Sequence, residues 1–196
     1  MVNNPYAYSF YYWDGFLDSM SCNSYTRDNM RKYYATRDEA YFRNMNTMAT
    51  AVIKGGPFAP SIKGMVYFVD VPYGTNVCVT VWGLPEFKPA TANEKQIGPH
   101  GFHIHEFGNC EVGDVNDPFK SAGSHWNPTK QPHGNHAGDF PVLFSNHGIA
   151  MMCFFTDKFK VKDVIGKSVV IHESPDDYKT QPAGDSGRRL ACGVIK

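Results

Sequence analysis

A surplus of either charge is missing from this chain: in 196 residues, 19 Lys and Arg are matched by 19 Asp and Glu, so the formal net charge is zero. That balance excludes a basic nucleic-acid binder or a polybasic membrane-surface protein as the default reading. Long apolar runs are also missing. The longest, Ile149 to Phe155, is strand length and far short of the ~18 residues a membrane helix needs, so a soluble protein is expected. The first twenty residues lack a basic start, and Asp14 and Asp18 interrupt any apolar stretch, so no Sec export signal is expected. No CxxC pair occurs, and five cysteines (Cys22, Cys78, Cys110, Cys153 and Cys192) are too few and too odd in number for a disulfide framework. Disorder over the whole length is excluded by 42% hydrophobic and 19% charged residues, while 18 Gly and 13 Pro lean toward a turn-rich β protein.

Two parts can be separated by composition. Residues 1–47 carry 12 of the 28 aromatics but little Val, Ile or Leu, with a weak helical period between Thr26 and Met45. That region is expected to be a partly helical extension. Residues 48–196 read as one domain of short β runs separated by Gly, Pro and Asn turns, at about 49–53, 65–70, 77–83, 101–107, 142–144, 149–155, 168–173 and 190–195. Eight strands without βαβ alternation predict an all-β, antiparallel sandwich or barrel. Ser145 to Gly148 is expected to be a tight turn. Cys110 to Asp139 shows no sustained period, and a loop that long inside a compact domain is usually functional.

All eight histidines fall between positions 100 and 172. In GFHIHEF the strand alternation puts His103 and His105 on one face, about 7 Å apart at their Cα atoms, within reach of one metal ion. His172, ending a later strand run, is a candidate for the same site. Three or four imidazoles without a thiolate suit Cu(II). The loop SHWNPTKQPHGNHAGD adds His125, His133, His136 and Asp139 within fifteen residues. Three nitrogens and one oxygen make a closed tetrahedral set of the kind that holds structural Zn(II).

GFHIHEFGNC, SAGSHWNP, HAGD and GRRLACGVI, in that order, resemble the signatures of the copper/zinc superoxide dismutases, bacterial members in particular, over roughly residues 48–196. The resemblance implies an eight-stranded Greek-key barrel with long metal-binding loops and disproportionation of the superoxide anion. It implies copper on His103, His105, His125 and His172, and zinc on His125, His133, His136 and Asp139, with His125 bridging the two. It further implies a Cys110–Cys192 disulfide, Arg189 as the arginine that guides the anion, and Asp176 as the carboxylate joining His103 to His133. His125 also takes a catalytic part in the family, as proton donor. Two departures stand out: only two residues separate His133 from His136, and the segment from His172 to Arg189 is short, with Lys179 its one lysine.

The remaining expectations are plainer. His100 and His147 are assigned to loops or turns, Cys78 and Cys153 to small buried thiols, and Trp82 and Trp126 to packing. The alternative to an enzyme is a copper-handling or structural surface or coat protein on the same fold. A homodimer is expected, with no nucleic acid and no membrane span, and the aromatic extension is expected to dock on its own barrel or on another subunit. The compartment is open: the disulfide favours an oxidising location, and the missing signal favours the cytoplasm or non-classical surface association.

Overall fold

The structure, a computed structural model, describes residues 47–196. The expected helix at 26–45 and Cys22 lie outside the described residues. Seven strands form one curled antiparallel sheet: β1 (Met48–Gly55), β2 (Lys63–Val71), β3 (Gly74–Trp82), β4 (Phe102–His105), β5 (Ile149–Thr156), β6 (Ser168–His172) and β7 (Arg189–Val194). Their order across the sheet is β4-β6-β7-β1-β2-β3-β5. One short helix, α1 (Val161–Val164), follows β5.

Alternation places the core. On β1 to β3, Ala49, Ala51, Ile53, Val66, Phe68, Val77, Val79 and Val81 point inward and are buried. They meet Phe102 and Ile104 of β4, Val169 and Ile171 of β6, and Phe140, Leu143 and Leu190. Each Val, Leu, Ile or Phe among them contributes roughly 1.5–3 kcal/mol when fully withdrawn from water. His103 and His105 lie between those inward residues of β4 and are themselves buried, so the functional face of the strand is as enclosed as the core face.

The eighth strand, expected at 142–144, does not form. Pro141 has no N–H to give, and Val142 gives its own to the Tyr178 hydroxyl at 2.8 Å, so a ladder cannot run through the segment. Only Leu143 pairs, with His100, just ahead of β4. The Ser145–Gly148 turn is present: Asn146 pairs with Ile149, and His147 and Gly148 take positive φ of 50° and 75°. Residues 143–149 therefore link the two edge strands of the sheet, β4 and β5.

Two cysteine expectations need correction. Cys78 and Cys153 are not buried thiols: they sit directly opposite one another on β3 and β5, side chains on the outer face, and are joined as a disulfide. His100 lies in the loop ahead of β4, as expected, but it is not at the surface. It is fully buried, and its Nδ1 lies 2.9 Å from the His172 carbonyl. Trp126 packs as expected, against Phe159 and beneath Lys167.

Candidate metal centre

Strand β4 builds the site from both of its edges. One edge pairs with β6, and on the other single pairings set His105 opposite His125 and His103 opposite Asp139. Ile104 holds this second edge, donating to Gly138 O at 2.9 Å and accepting from Trp126 N at 2.8 Å. The long irregular segment is thereby stitched to the strand that carries the first two histidines. A register shift between Ile171 and His172 places His172 opposite Arg189. Bulges of this kind re-aim side chains next to functional sites.

Two groups of ligating atoms result. His103, His105, His125 and His172 bring one nitrogen each to within 4.8 Å of one another, and so do His125, His133, His136 and Asp139 with their ligand atoms. His125 belongs to both groups. Its Nδ1 lies 3.0 Å from Asp139 Oδ1, while its Nε2 is buried without a partner. The seven residues named from the sequence are thus brought together in the two sets expected.

Four of the imidazoles are held by one nitrogen and offer the other. His103 Nε2 and His133 Nε2 lie 2.7 and 2.8 Å from the two oxygens of the buried Asp176 carboxylate, leaving both Nδ1 atoms unpartnered. His105 Nδ1 donates to Gly123 O at 2.9 Å, and His172 Nδ1 to Gly187 O at 3.3 Å. With those protons fixed on Nδ1, the two Nε2 atoms face each other at 3.3 Å as bare lone pairs. Two acceptors that close repel unless a cation lies between them, so the donor set fits a metal ion. Outer partners of this kind set the tautomer and direction of ligand imidazoles.

Electrostatics point the same way. Burial, followed by the neighbouring imidazoles, holds His103 and His105 well below the ordinary histidine range, and lowers His172 to about 3. These rings are neutral at neutral pH, the form that binds a metal. Burial alone would raise Asp139, but the His125 hydrogen bond and the charges of His125, His133 and His136 outweigh it and bring the carboxyl to about 2.

Arg189 is half-buried beside the first group, and burial lowers its proton affinity. Its guanidinium donates to Phe119 O at 2.5 Å and to Gly123 O at 2.7 Å. Arg188, its neighbour, instead pairs with Glu173 and lies over the Phe58 ring. The Cys110–Cys192 disulfide ties the loop after β4 to β7. Cys192 pairs with Val170 of β6, which itself lies opposite His103, so the bridge anchors the loop beside the first group.

Several contributors are silent in the sequence pattern. The carbonyls of Gly123 and Gly187 do their work through the backbone, so residue type does not mark them. Gly184 (φ 65°) leaves room for Asp176: a Cβ there would overlap Asp176 Oδ1 and His133 Nε2. Gly184 is eight residues from Asp176 in the sequence, so only the fold brings the two together.

Comparison with known proteins agrees with this geometry. Residues 62–195 match the copper/zinc superoxide dismutase (SODC) family. A superoxide dismutase [Cu-Zn] of Deinococcus radiodurans is 37% identical over 152 residues, 69% of this chain and 78% of the relative. One of Caulobacter vibrioides is 34% identical over 165 residues, 76% of this chain and 85% of the relative. The solved Cu/Zn superoxide dismutase from Brucella abortus superposes with a TM-score of 0.62 at 27% identity, covering 76% of this chain and all of that one. Paired His sets, an arginine beside one of them and a match spanning both metal-binding loops lead to one conclusion: the chain belongs to the copper/zinc superoxide dismutase family.

Proposed function

We propose the following division of labour for the disproportionation of superoxide, 2 O2⁻ + 2 H⁺ → O2 + H2O2, the activity of the family. His103, His105, His125 and His172 hold copper. His125, His133, His136 and Asp139 hold zinc. Copper, when bound, would supply one-electron redox chemistry, and zinc would fix the second group without any.

The chain supplies charge, position and a proton. Arg189 presents a cation beside the first group, where an approaching anion is drawn in and oriented. Gly123 fixes that cation relative to His105, since its carbonyl receives both side chains. His125 Nε2 would serve copper in one half of the cycle and hold a proton for the reduced oxygen in the other, while Asp139 keeps the opposite nitrogen in place. Asp176 couples the two groups through His103 and His133.

The observation that carries this reading is the pair of Nε2 atoms of His105 and His172, 3.3 Å apart, in rings whose Nδ1 atoms each face a backbone carbonyl. Metal analysis of the purified protein coupled to a superoxide assay tests it. One copper and one zinc per chain with turnover proportional to copper are expected. A fully copper-loaded protein that leaves superoxide untouched would overturn the enzymatic reading in favour of copper handling.

All the assigned ligands fall within residues 48–196, and we assign residues 1–47 no part in metal binding. We further propose that the chain works as a homodimer.

A further inference from the structure

The outer face of the four strands β1, β2, β3 and β5 departs from what an ordinary antiparallel sheet presents to water. Such a sheet is apolar toward the core and polar outside. Here the strand register lines up four outward rows across the face. Met48, Val69, Asn76 and Phe155 form the first, and Thr50, Tyr67 and the Cys78–Cys153 bridge the second. Val52, Met65, Thr80 and Met151 form the third, and Lys54, Lys63, Trp82 and Ile149 the last. Fourteen of these sixteen positions carry no charge, and the two lysines stand together at one corner.

The apolar members are large and open. Met151 is 74% exposed, Met48 58%, Phe155 54% and Val52 53%. Phe144, 69% exposed, extends the surface past the β5 edge, beside a cleft it lines with Ile149 and Met151. Monomeric proteins rarely leave contiguous apolar patches beyond a few hundred Å² uncovered. Four strands about 4.8 Å apart and about 26 Å long make a patch of roughly 500 Å² in plan, and more once its corrugation is counted. That approaches the ~800 Å² each partner contributes to a standard stable interface.

We infer that this face is the dimer interface of the chain, occupied by the same face of a second copy. The inference rests on the proposed homodimer and gives it a surface. A regular, nearly uncharged four-strand face finds its best complement in another such sheet, packed about 10 Å away with interdigitated side chains. A two-fold axis along the strands would set β1 against the partner's β5 and β2 against its β3. Lys63 would then meet the Trp82 ring and Met48 the Phe155 ring, while Lys54, opposite Ile149 at the rim, would keep its ammonium in water. The metal ligands lie on β4, β6 and the long loops, so both active sites would remain open.

Sedimentation velocity on the full-length, metal-loaded protein is the test, with the wild type beside a Val52→Lys/Met151→Lys double variant. The wild type is expected to sediment as a dimer at micromolar concentration. The variant should be a monomer, with unchanged copper, zinc and turnover per copper. Hydroxyl-radical footprinting of the wild type supplies a readout that needs no variant: oxidation of Met48 and Met151 should rise several-fold on dilution, as the dimer dissociates. A wild-type monomer would overturn both the homodimer and its interface. A dimer that survives in the well-folded, metal-loaded variant would overturn this interface alone. Methionines that stay protected at dilutions where the wild type sediments as a monomer would mean that the face is covered from within one chain, and would overturn it too.

Discussion

Arg189 and His105 share one acceptor: the guanidinium Nη2 and the imidazole Nδ1 lie 2.7 and 2.9 Å from the same Gly123 carbonyl. A cation that guides the substrate and a ring that binds metal are therefore positioned by a single peptide group. Arg189→Ala is expected to lower superoxide turnover at least several-fold without removing copper, and to flatten the dependence of rate on ionic strength. Arg188→Ala should change turnover little, because Arg188 is paired with Glu173 and directed over Phe58. Equal losses at the two positions would contradict the assignment.

His125→Ala should disturb both metals, since no other residue belongs to both ligand groups. Asp139→Ala should weaken zinc far more than copper. Stoichiometry by elemental analysis, with the copper spectrum as a second readout, distinguishes the two variants.

Gly184→Ala is expected to act on metal binding without replacing a ligand. Its new methyl would press on Asp176 and His133, and its backbone is held at positive φ. Zinc affinity should fall by about 10- to 100-fold, the range typical when an outer partner of a ligand is displaced. Competitive chelator titration measures it, and wild-type affinity in the variant would show that the loop yields.

Peptide mapping under non-reducing conditions should recover two bridges, Cys110–Cys192 and Cys78–Cys153. The first closes a loop of 82 residues, which in the chain-entropy picture stabilises the fold by roughly 4–5 kcal/mol less any strain. Cys110→Ser/Cys192→Ser should lower the melting temperature accordingly and loosen the loop that supports Arg189.

The metal-free protein should lose stability as the solution is acidified. Burial holds His172 at about 3, far below the ~6.5 of an unfolded histidine. Between those values the unfolded chain binds the proton and the folded one does not. This contribution is complete above pH ~6.5 and is lost as pH falls toward 3. His103 and His105, shifted in the same direction, add to it. Thermal melts of the metal-free protein between pH 7 and 4 should show a falling midpoint, and a flat profile would contradict the neutral, buried state of these rings.

The sequence by itself determined the chemistry. His103 and His105 are two residues apart on a strand, and His125, His133, His136 and Asp139 follow one another in a single loop, so local spacing already marks them as ligands. Arg189 and Cys192 could be named because they sit in a short ordered motif. What depends on long-range contact was decided only by the tertiary structure. The segment at 142–144 has a strand-like composition, but Tyr178, 36 residues away, takes the Val142 N–H that a ladder would need. Cys78 and Cys153, 75 residues apart, read as buried because alternation marks which residues share a face but not whether that face is inside. Only the register of β3 against β5 put the two sulfurs opposite each other, on a face that is apolar and yet turned outward. The backbone carbonyls of Gly123 and Gly187 leave no mark in the residue string, since every residue has a carbonyl and only the fold determines which one meets a ring nitrogen.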